Sequence, residues 1–380
     1  MDHFLRITFV LPGFARTPVG GFKVVYEYSN RLVARGHQVA IVHPWRLANI
    51  LPPPLPNVYR RLRREARHLQ HTFARPRLPW FALDKRVRML FVIEPTTCQT
   101  PDADVVFATA WQTAEYVIQY PPGKGEKFYL VMDFDPWLGP KDRLEATWRQ
   151  PFKIVTISRW LYDKVRGAGA APNETVSIAV GIDHGSFRLM HNIAERPEAI
   201  AMMVASASYK APQDGLRALE IVKRLHPQLE STVFGPSRTR PERFPAWIAY
   251  RGNVAEAELV TVYNRSRIFG SSSVAEGFAL PPAEAMACGC AVASTDSGGI
   301  REYAEHEVNA LLSPPRDPEA LARNMSRLLE DDGLRQKIAV AGHRRIQDFT
   351  WERSTDLLER FIKKYARSSV DAGTPRETLK

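Results

Sequence analysis

Apolar residues along this chain fall into two rhythms, short unbroken runs and stretches with helical spacing. Ile7-Thr-Phe-Val-Leu11 is an unbroken run that ends at Pro12-Gly13, and it predicts a buried strand. Val24, Val25, Tyr28, Leu32 and Val33 then recur on one helical face. They predict a helix from about Phe22 to Arg35, stopped by Gly36, with a Gly-Gly loop before it. Gln38-Val-Ala-Ile-Val42 reads as the next strand. This is a βαβ opening, whose strands should be parallel and joined by a right-handed crossover. Further strands are expected at 87–92, 105–108, 128–132, 153–157 and 176–179, with helices between several of them. The alternation predicts a doubly wound sheet.

The pattern changes near residue 182. Residues 181–197 contain two glycines, a charged run and a proline, and read as a linker. Strands are then expected at 200–205, 232–234, 268–270, 291–293 and 310–312. Helices are expected at 213–225, 256–265, 318–329 and 333–347, and Leu357, Leu358, Phe361 and Ile362 mark one face of a last helix from Trp351 to Tyr365. The simplest architecture is α/β, with two Rossmann-like domains facing a cleft. The expected division is residues 1–190, residues 191–349, a final helix within 350–366, and a frayed tail at 367–380.

A chain of 380 residues exceeds one ordinary core, in agreement with two domains. Its 44% hydrophobic and 24% charged content is that of a soluble globular protein. No run of about 18 apolar residues predicts a membrane span. Residues 1–12 read as a strand rather than a signal peptide. Cys98, Cys288 and Cys290 fit neither a disulfide framework nor a zinc set, so reduced thiols in a cytoplasmic protein are expected. The net charge of +11 and pI near 9.6 would suit nucleic acid, an anionic membrane surface or a polyanionic substrate, or only solubility. No helix-turn-helix, zinc-finger or aromatic-RNP signature supports nucleic acid. The charge is uneven: residues 60–88 hold ten Lys or Arg against two acids. Within residues 58–73, Leu62, Ala66, Leu69 and Phe73 keep helical spacing while Arg60, Arg61, Arg63, Arg64 and Arg67 crowd the remainder. Such a helix would either lie on an anionic inner membrane face or pack on the sheet with a solvated arginine face.

Candidate chemistry concentrates in Glu276-Gly-Phe-Ala-Leu-Pro-Pro-Ala-Glu284, which follows the strand-like Ile268-Phe-Gly-Ser. Pro281 and Pro282 suit the first turn of a helix that stops at Gly289. Glu276 would then end a strand loop and Glu284 would stand in the first turns of a helix. The intervening N–H groups of Gly277, Phe278, Ala279 and Leu280 would lie at a positive helix N-terminus, where a phosphate or diphosphate binds. An acid beside such a site grips sugar hydroxyls in dinucleotide folds. The local reading is a nucleotide-sugar site, although Glu284 could also simply complement a helix N-terminus.

With Ala-Met-Ala-Cys-Gly289 and Ser294-Thr-Asp-Ser-Gly-Gly-Ile-Arg-Glu302, this run resembles retaining glycosyltransferases of family 4. Gly20-Gly21-Phe-Lys-Val-Val, Gly181-Ile-Asp-His-Gly-Ser-Phe187 and Trp351 extend the resemblance over roughly residues 5 to 366. Phe128-Tyr-Leu-Val-Met-Asp-Phe-Asp135 and Thr156-Ile-Ser-Arg-Trp160 are similar to bacterial polysaccharide enzymes, including rhamnosyltransferases.

The resemblance implies the GT-B fold, with the last helix crossing back to the first domain. It implies that Lys210 contacts the donor diphosphate, Glu276 reaches the transferred sugar and Glu284 holds the ribose. Gly20 and Gly21 would face donor phosphates or acceptor, and the base would meet backbone near Gly252-Asn-Val254. The plain alternatives are a solvated loop lysine and an ordinary glycine turn. Gly298-Gly299 could approach the same site or form a structural turn.

Four departures stand out. The arginine often found shortly before the lysine is replaced by Ala205 and Ser206, and glycines usual after the lysine and in the Glu–Glu run are Ala211 and Ala279. A histidine usual after the fourth strand is also missing, since that stretch reads Thr109-Ala-Trp111. Trp111, Asp133 and Asp135 are the acceptor-side candidates, the two acids being equally able to cap the next segment. No Asp-x-Asp follows a strand in the second domain, so neither a metal nor another cofactor is expected. The implied reaction moves a sugar from a nucleotide diphosphate sugar to a hydroxyl of a glycan or lipid-linked acceptor, with retained configuration. A degenerate, donor-binding transferase and a basic surface-binding protein are the competing readings.

Overall fold

The computed structural model describes residues 4–48, 78–134, 140–237, 239–242 and 244–366. The basic segment 58–73, Asp135 and the tail 367–380 lie outside the described residues.

Strands β1 (Arg6–Val10), β2 (Gln38–Pro44), β3 (Arg88–Val92), β4 (Val105–Ala108), β5 (Glu126–Val131), β6 (Lys153–Thr156) and β7 (Thr175–Ser177) form one sheet in the order β3-β2-β1-β4-β5-β6-β7. Every pairing is parallel, with Phe9 opposite Ile41 on one side and Phe107 on the other. Helices α1 (Gly20–Ala34), α2 (Trp111–Val117), α3 (Lys141–Trp148) and α4 (Arg159–Gly167) connect them. Burial on both faces explains the unbroken apolar runs of β1 and β4.

A second parallel sheet has the order β10-β9-β8-β11-β12-β13, from β8 (Ala199–Met203), β9 (Glu230–Phe234), β10 (Ile248–Tyr250), β11 (Ile268–Ser271), β12 (Ala291–Thr295) and β13 (Leu311–Ser313). Its helices are α5 (Pro212–Leu225), α6 (Glu256–Asn264), α7 (Leu280–Ala287), α8 (Pro318–Glu330) and α9 (Asp332–Ile346). Strand β10 was not expected from sequence. It is a three-residue edge strand with one buried, one exposed and one intermediate residue, too short to carry a periodic signal.

Both sheets reverse strand order beside their first strand, between β1 and β4 and between β8 and β11. A doubly wound sheet opens its ligand crevice outside the carboxyl ends of the strands at that point.

The last helix, α10 (Trp351–Tyr365), packs across α1 in the first domain. Thr350 caps it by accepting from Arg353 N at 3.2 Å. Tyr28 Oη and Ser354 Oγ are 2.6 Å apart, and the buried Trp351 ring meets Tyr28 edge-on at 5.4 Å. Arg35 holds Asp356 and Glu359 at 2.6 and 2.7 Å. The chain therefore passes between domains twice, and the two passages touch. Ile182 N donates to Phe349 O at 2.9 Å, and a Cβ on Gly181 would collide with the Trp351 backbone.

Candidate functional site

The two switch points face each other across the domain boundary. From β8 the chain turns through Ser208–Lys210 into α5, and Lys210 Nζ reaches Glu276 Oε1 at 2.5 Å. Both side chains are largely covered, at 16% and 13% exposure. The lysine loop is pinned from below: Ser272 Oγ lies 3.1 Å from Lys210 O and 3.0 Å from Ala211 O, and Val274 N donates to Tyr209 O at 2.7 Å. The Glu276 backbone is fixed by its N–H to Ser297 O at 2.9 Å and by Gly299 N to its carbonyl at 3.1 Å. Gly298-Gly299 thus forms a turn that backs the glutamate, and a Cβ on Gly299 would collide with the Glu276 and Gly277 backbone.

Helix α7 opens directly after this loop. Pro281 and Pro282 carry no N–H, so the donors at its mouth come from the residues before them and from Ala283. Ala279 sits at φ 66°, a left-handed conformation that an alanine adopts at a cost of about 1–2 kcal/mol. Its carbonyl is held by Tyr303 Oη at 2.6 Å. Ala211, at φ 45°, does the same at the mouth of α5. The two positions where alanine replaces an expected glycine are therefore both left-handed, which is the conformation that favours glycine. Phe278 is buried against Tyr303 and Phe349.

From the first domain, Gly20 opens α1 and faces the mouth of α7: a Cβ there would lie 3.7 Å from Leu280 Cδ1. A Cβ on Gly21 would lie 3.4 Å from Met132 Cε, and one on Gly277 would collide with Met132 O. Asp133, adjacent to Met132, accepts from Phe134 N at 2.8 Å. Trp111, one of the acceptor-side candidates, opens helix α2. It is only 5% exposed, with the Arg143 guanidinium 4.9 Å from its ring centroid. His43 is fully buried; its Nδ1 donates to Gly13 O at 2.8 Å, and burial pushes its pKa down to about 4, in keeping with a core histidine.

Glu284, one turn inside α7, is 6% exposed and meets Lys23 Nζ of α1 at 2.9 Å. The same ammonium lies 3.6 Å from Glu256 Oε2 and 4.8 Å from the Phe187 ring centroid. Burial works against the charge on Lys23, but Glu284, Glu256 and Glu27 outweigh it and hold the ammonium above its ordinary pKa. Burial pushes the Glu284 carboxyl up, with Lys23 opposing. Val254, 9% exposed, leads into α6, whose first turn supplies Glu256.

Sequence reasoning missed Lys23 and Glu256. The available signal was a lysine in the first turn of α1, where a cation opposes the helix dipole and α1 has no acid nearby in that turn. Among the described residues, no cluster of three or more His, Cys, Asp or Glu side chains could hold a metal ion. None of the described helices is long and apolar enough to cross a membrane.

Comparison with known proteins adds to this geometry. Residues 187–345 match the family model described as glycosyl transferases group 1. The chain is 30% identical over 186 residues to the D-inositol 3-phosphate glycosyltransferase of Salinispora tropica, covering 44% of this chain and 39% of that protein. It is 23% identical over 279 residues to the serotype-specific mannosyltransferase WbdA of Escherichia coli, covering 71% of this chain and 30% of that protein. The chain thus spans well under half the length of these relatives. Among solved structures, sucrose-phosphate synthase of Thermosynechococcus elongatus superposes with a TM-score of 0.69 at 16% identity, over 97% of this chain and 100% of that one. Anabaena HepE, solved in complex with UDP-glucose, superposes with a TM-score of 0.68 at 14% identity, over 95% and 100%. The two parallel-sheet domains have the GT-B fold.

Proposed function

We propose that this chain, a GT-B protein whose residues 187–345 belong to the glycosyl transferases group 1, moves a sugar from a nucleotide diphosphate sugar to a hydroxyl acceptor. The observation that carries the reading is the Lys210–Glu276 pair at the second switch point, beside the N-terminus of α7. The donor diphosphate takes the N–H groups at that terminus and the Lys210 ammonium, so charge that develops on the leaving diphosphate meets fixed positive partners. Glu276, released from Lys210 as the phosphates arrive, faces the transferred sugar. Glu284 accepts the ribose hydroxyls. The bond from the anomeric carbon to the diphosphate oxygen breaks with its electron pair leaving on the diphosphate. The new bond forms from the acceptor oxygen with configuration retained, and the acceptor proton leaves with the departing diphosphate.

Helix dipole and lysine carry the phosphate charge in this reading, so activity should survive excess EDTA. Loss on chelation with recovery on adding Mg²⁺ or Mn²⁺ would overturn that part. The acceptor is proposed to be a glycan or lipid-linked glycan, in line with the O-antigen and mannosyltransferase names among the relatives.

The test is a panel of nucleotide sugars read by thermal shift and by sugar release or transfer. A transferase is stabilised by its donor and turns it over. Stabilisation without turnover would point to a degenerate donor binder, for which the replacement of the expected arginine by Ala205 and Ser206 is the motivating observation. Glu284→Ala should weaken nucleotide binding by about 1–3 kcal/mol. Glu276→Ala should largely abolish transfer and leave nucleotide affinity nearer the parental value. Parental rates in both variants would overturn the site assignment.

A further inference from the structure

Lys23 is a largely covered cation at the site that the donor reading leaves over. Its side chain is 15% exposed and that of Glu284 8%. It springs from the first turn of α1 and reaches Glu284 and Glu256 of the second domain, with the Phe187 ring of the connecting segment beside its ammonium. The field of Glu27 and Asp183 also reaches this pair. Glu284 is the carboxylate assigned to ribose above. A carboxylate covered by a buried ammonium cannot also give its full hydrogen-bonding capacity to two hydroxyls.

Separating a buried pair leaves an unpaired charge, so a displaced Lys23 needs another anion. The incoming diphosphate provides one. Its seat at the mouth of α7 is four residues before Glu284, a distance of about 6 Å along the helix axis. A lysine stem spans a comparable length. Gly20, in the same turn of α1 as Lys23, already stands against Leu280 at that mouth.

We propose that Lys23 is a relay cation for the donor: it neutralises Glu284 in the nucleotide-free protein and moves to the donor diphosphate when ribose takes the carboxylate. The inference rests on the donor-site reading, since it takes the ribose and diphosphate seats from it. Lys23 is then both a competitor of the ribose and a ligand of the phosphates, and these two roles have opposite signs on binding.

Isothermal titration of the full chain with UDP, GDP and ADP, and with uridine, guanosine and adenosine, separates them. The parental protein identifies which diphosphate binds; if none of the six binds, the donor reading fails and the relay with it. In Lys23→Met the diphosphate should bind about tenfold more weakly or worse, the loss expected for one charge-assisted contact. The parent nucleoside should bind more tightly, because Glu284 is no longer occupied. Lys23→Arg, which keeps the charge, should hold the diphosphate within about threefold of parental. Lys23→Gln, which keeps a donor to Glu284, serves if the methionine variant does not fold. Nucleoside and diphosphate weakening together would make Lys23 a structural tether and overturn the relay. Unchanged affinity for both would overturn it as well.

Discussion

Ala279 and Ala211 hold left-handed backbone at the mouths of the two helices that flank Lys210 and Glu276. Strain of this kind persists where surrounding contacts fix it, here through Tyr303 Oη on Ala279 O and Ser272 Oγ beside Ala211 O. The Ala279 side chain is also buried. Ala279→Gly should therefore lie within about 1 kcal/mol of the parent, relief of strain offsetting the greater entropy of the unfolded glycine chain. Ala279→Val adds two methyl groups to a packed, left-handed site and should cost about 2 kcal/mol in urea denaturation, with loss of nucleotide binding. Equal stability of the valine variant would show that the loop relaxes freely. Legibility at this scale was uneven. Glu276 and Glu284 could be read because local order places them on a loop and in a helix, and Lys210 because the family resemblance points to it. Lys23 could not, because its partner lies 261 residues away and the contact exists only when two domains meet.

At the scale of elements, strands were read more completely than helices: among the described strands β10 alone was missed, while α2, α3 and α4 were expected as connections without bounds. The last helix was expected from Trp351 to Tyr365 and occupies those residues, since Thr350 caps it and its apolar positions recur on one face. Strand β10 escaped because three edge residues give no period. What the sequence did not reveal is how α10 is fastened. Glu359 accepts from Arg35 at 2.7 Å and Lys363 at 2.6 Å, and shares a hydrogen bond with buried His37 at 3.2 Å. Burial works to raise its pKa, but the hydrogen bonds from Lys363, Arg35 and His37 prevail and lower it from 4.5 to about 2. A carboxyl depressed in the folded state contributes stability above its unfolded value and loses that contribution as pH falls through the folded one. The α10 attachment should thus weaken as pH drops from 4.5 toward 2. Glu359→Gln should be less stable than the parent at neutral pH, and the gap in urea midpoint should narrow in that acid window. A gap independent of pH would assign the effect to packing.

On the scale of the whole molecule, the division into two sheets was legible because a linker of changed composition separates two repeats of the same alternation. The closeness of the domains was not, because bare backbone makes it possible. Gly277 admits the Met132 carbonyl, and Gly298, at φ 81°, lies under the Trp160 ring. Gly277→Ala would collide there, so the variant should hold the domains apart. Small-angle scattering should give it a larger radius of gyration than the parent, and nucleotide sugar should fail to compact it. An unchanged radius would mean that the Met132 strand end yields instead. The two crossings between domains also carry a mechanical meaning. Ile182 and Thr350 are bridge partners, so both connections run side by side along one edge. Two bodies joined by adjacent pins swing like a door. In such a swing, movement is smallest beside the pins and grows with distance from them, so the far end of the cleft opens widest.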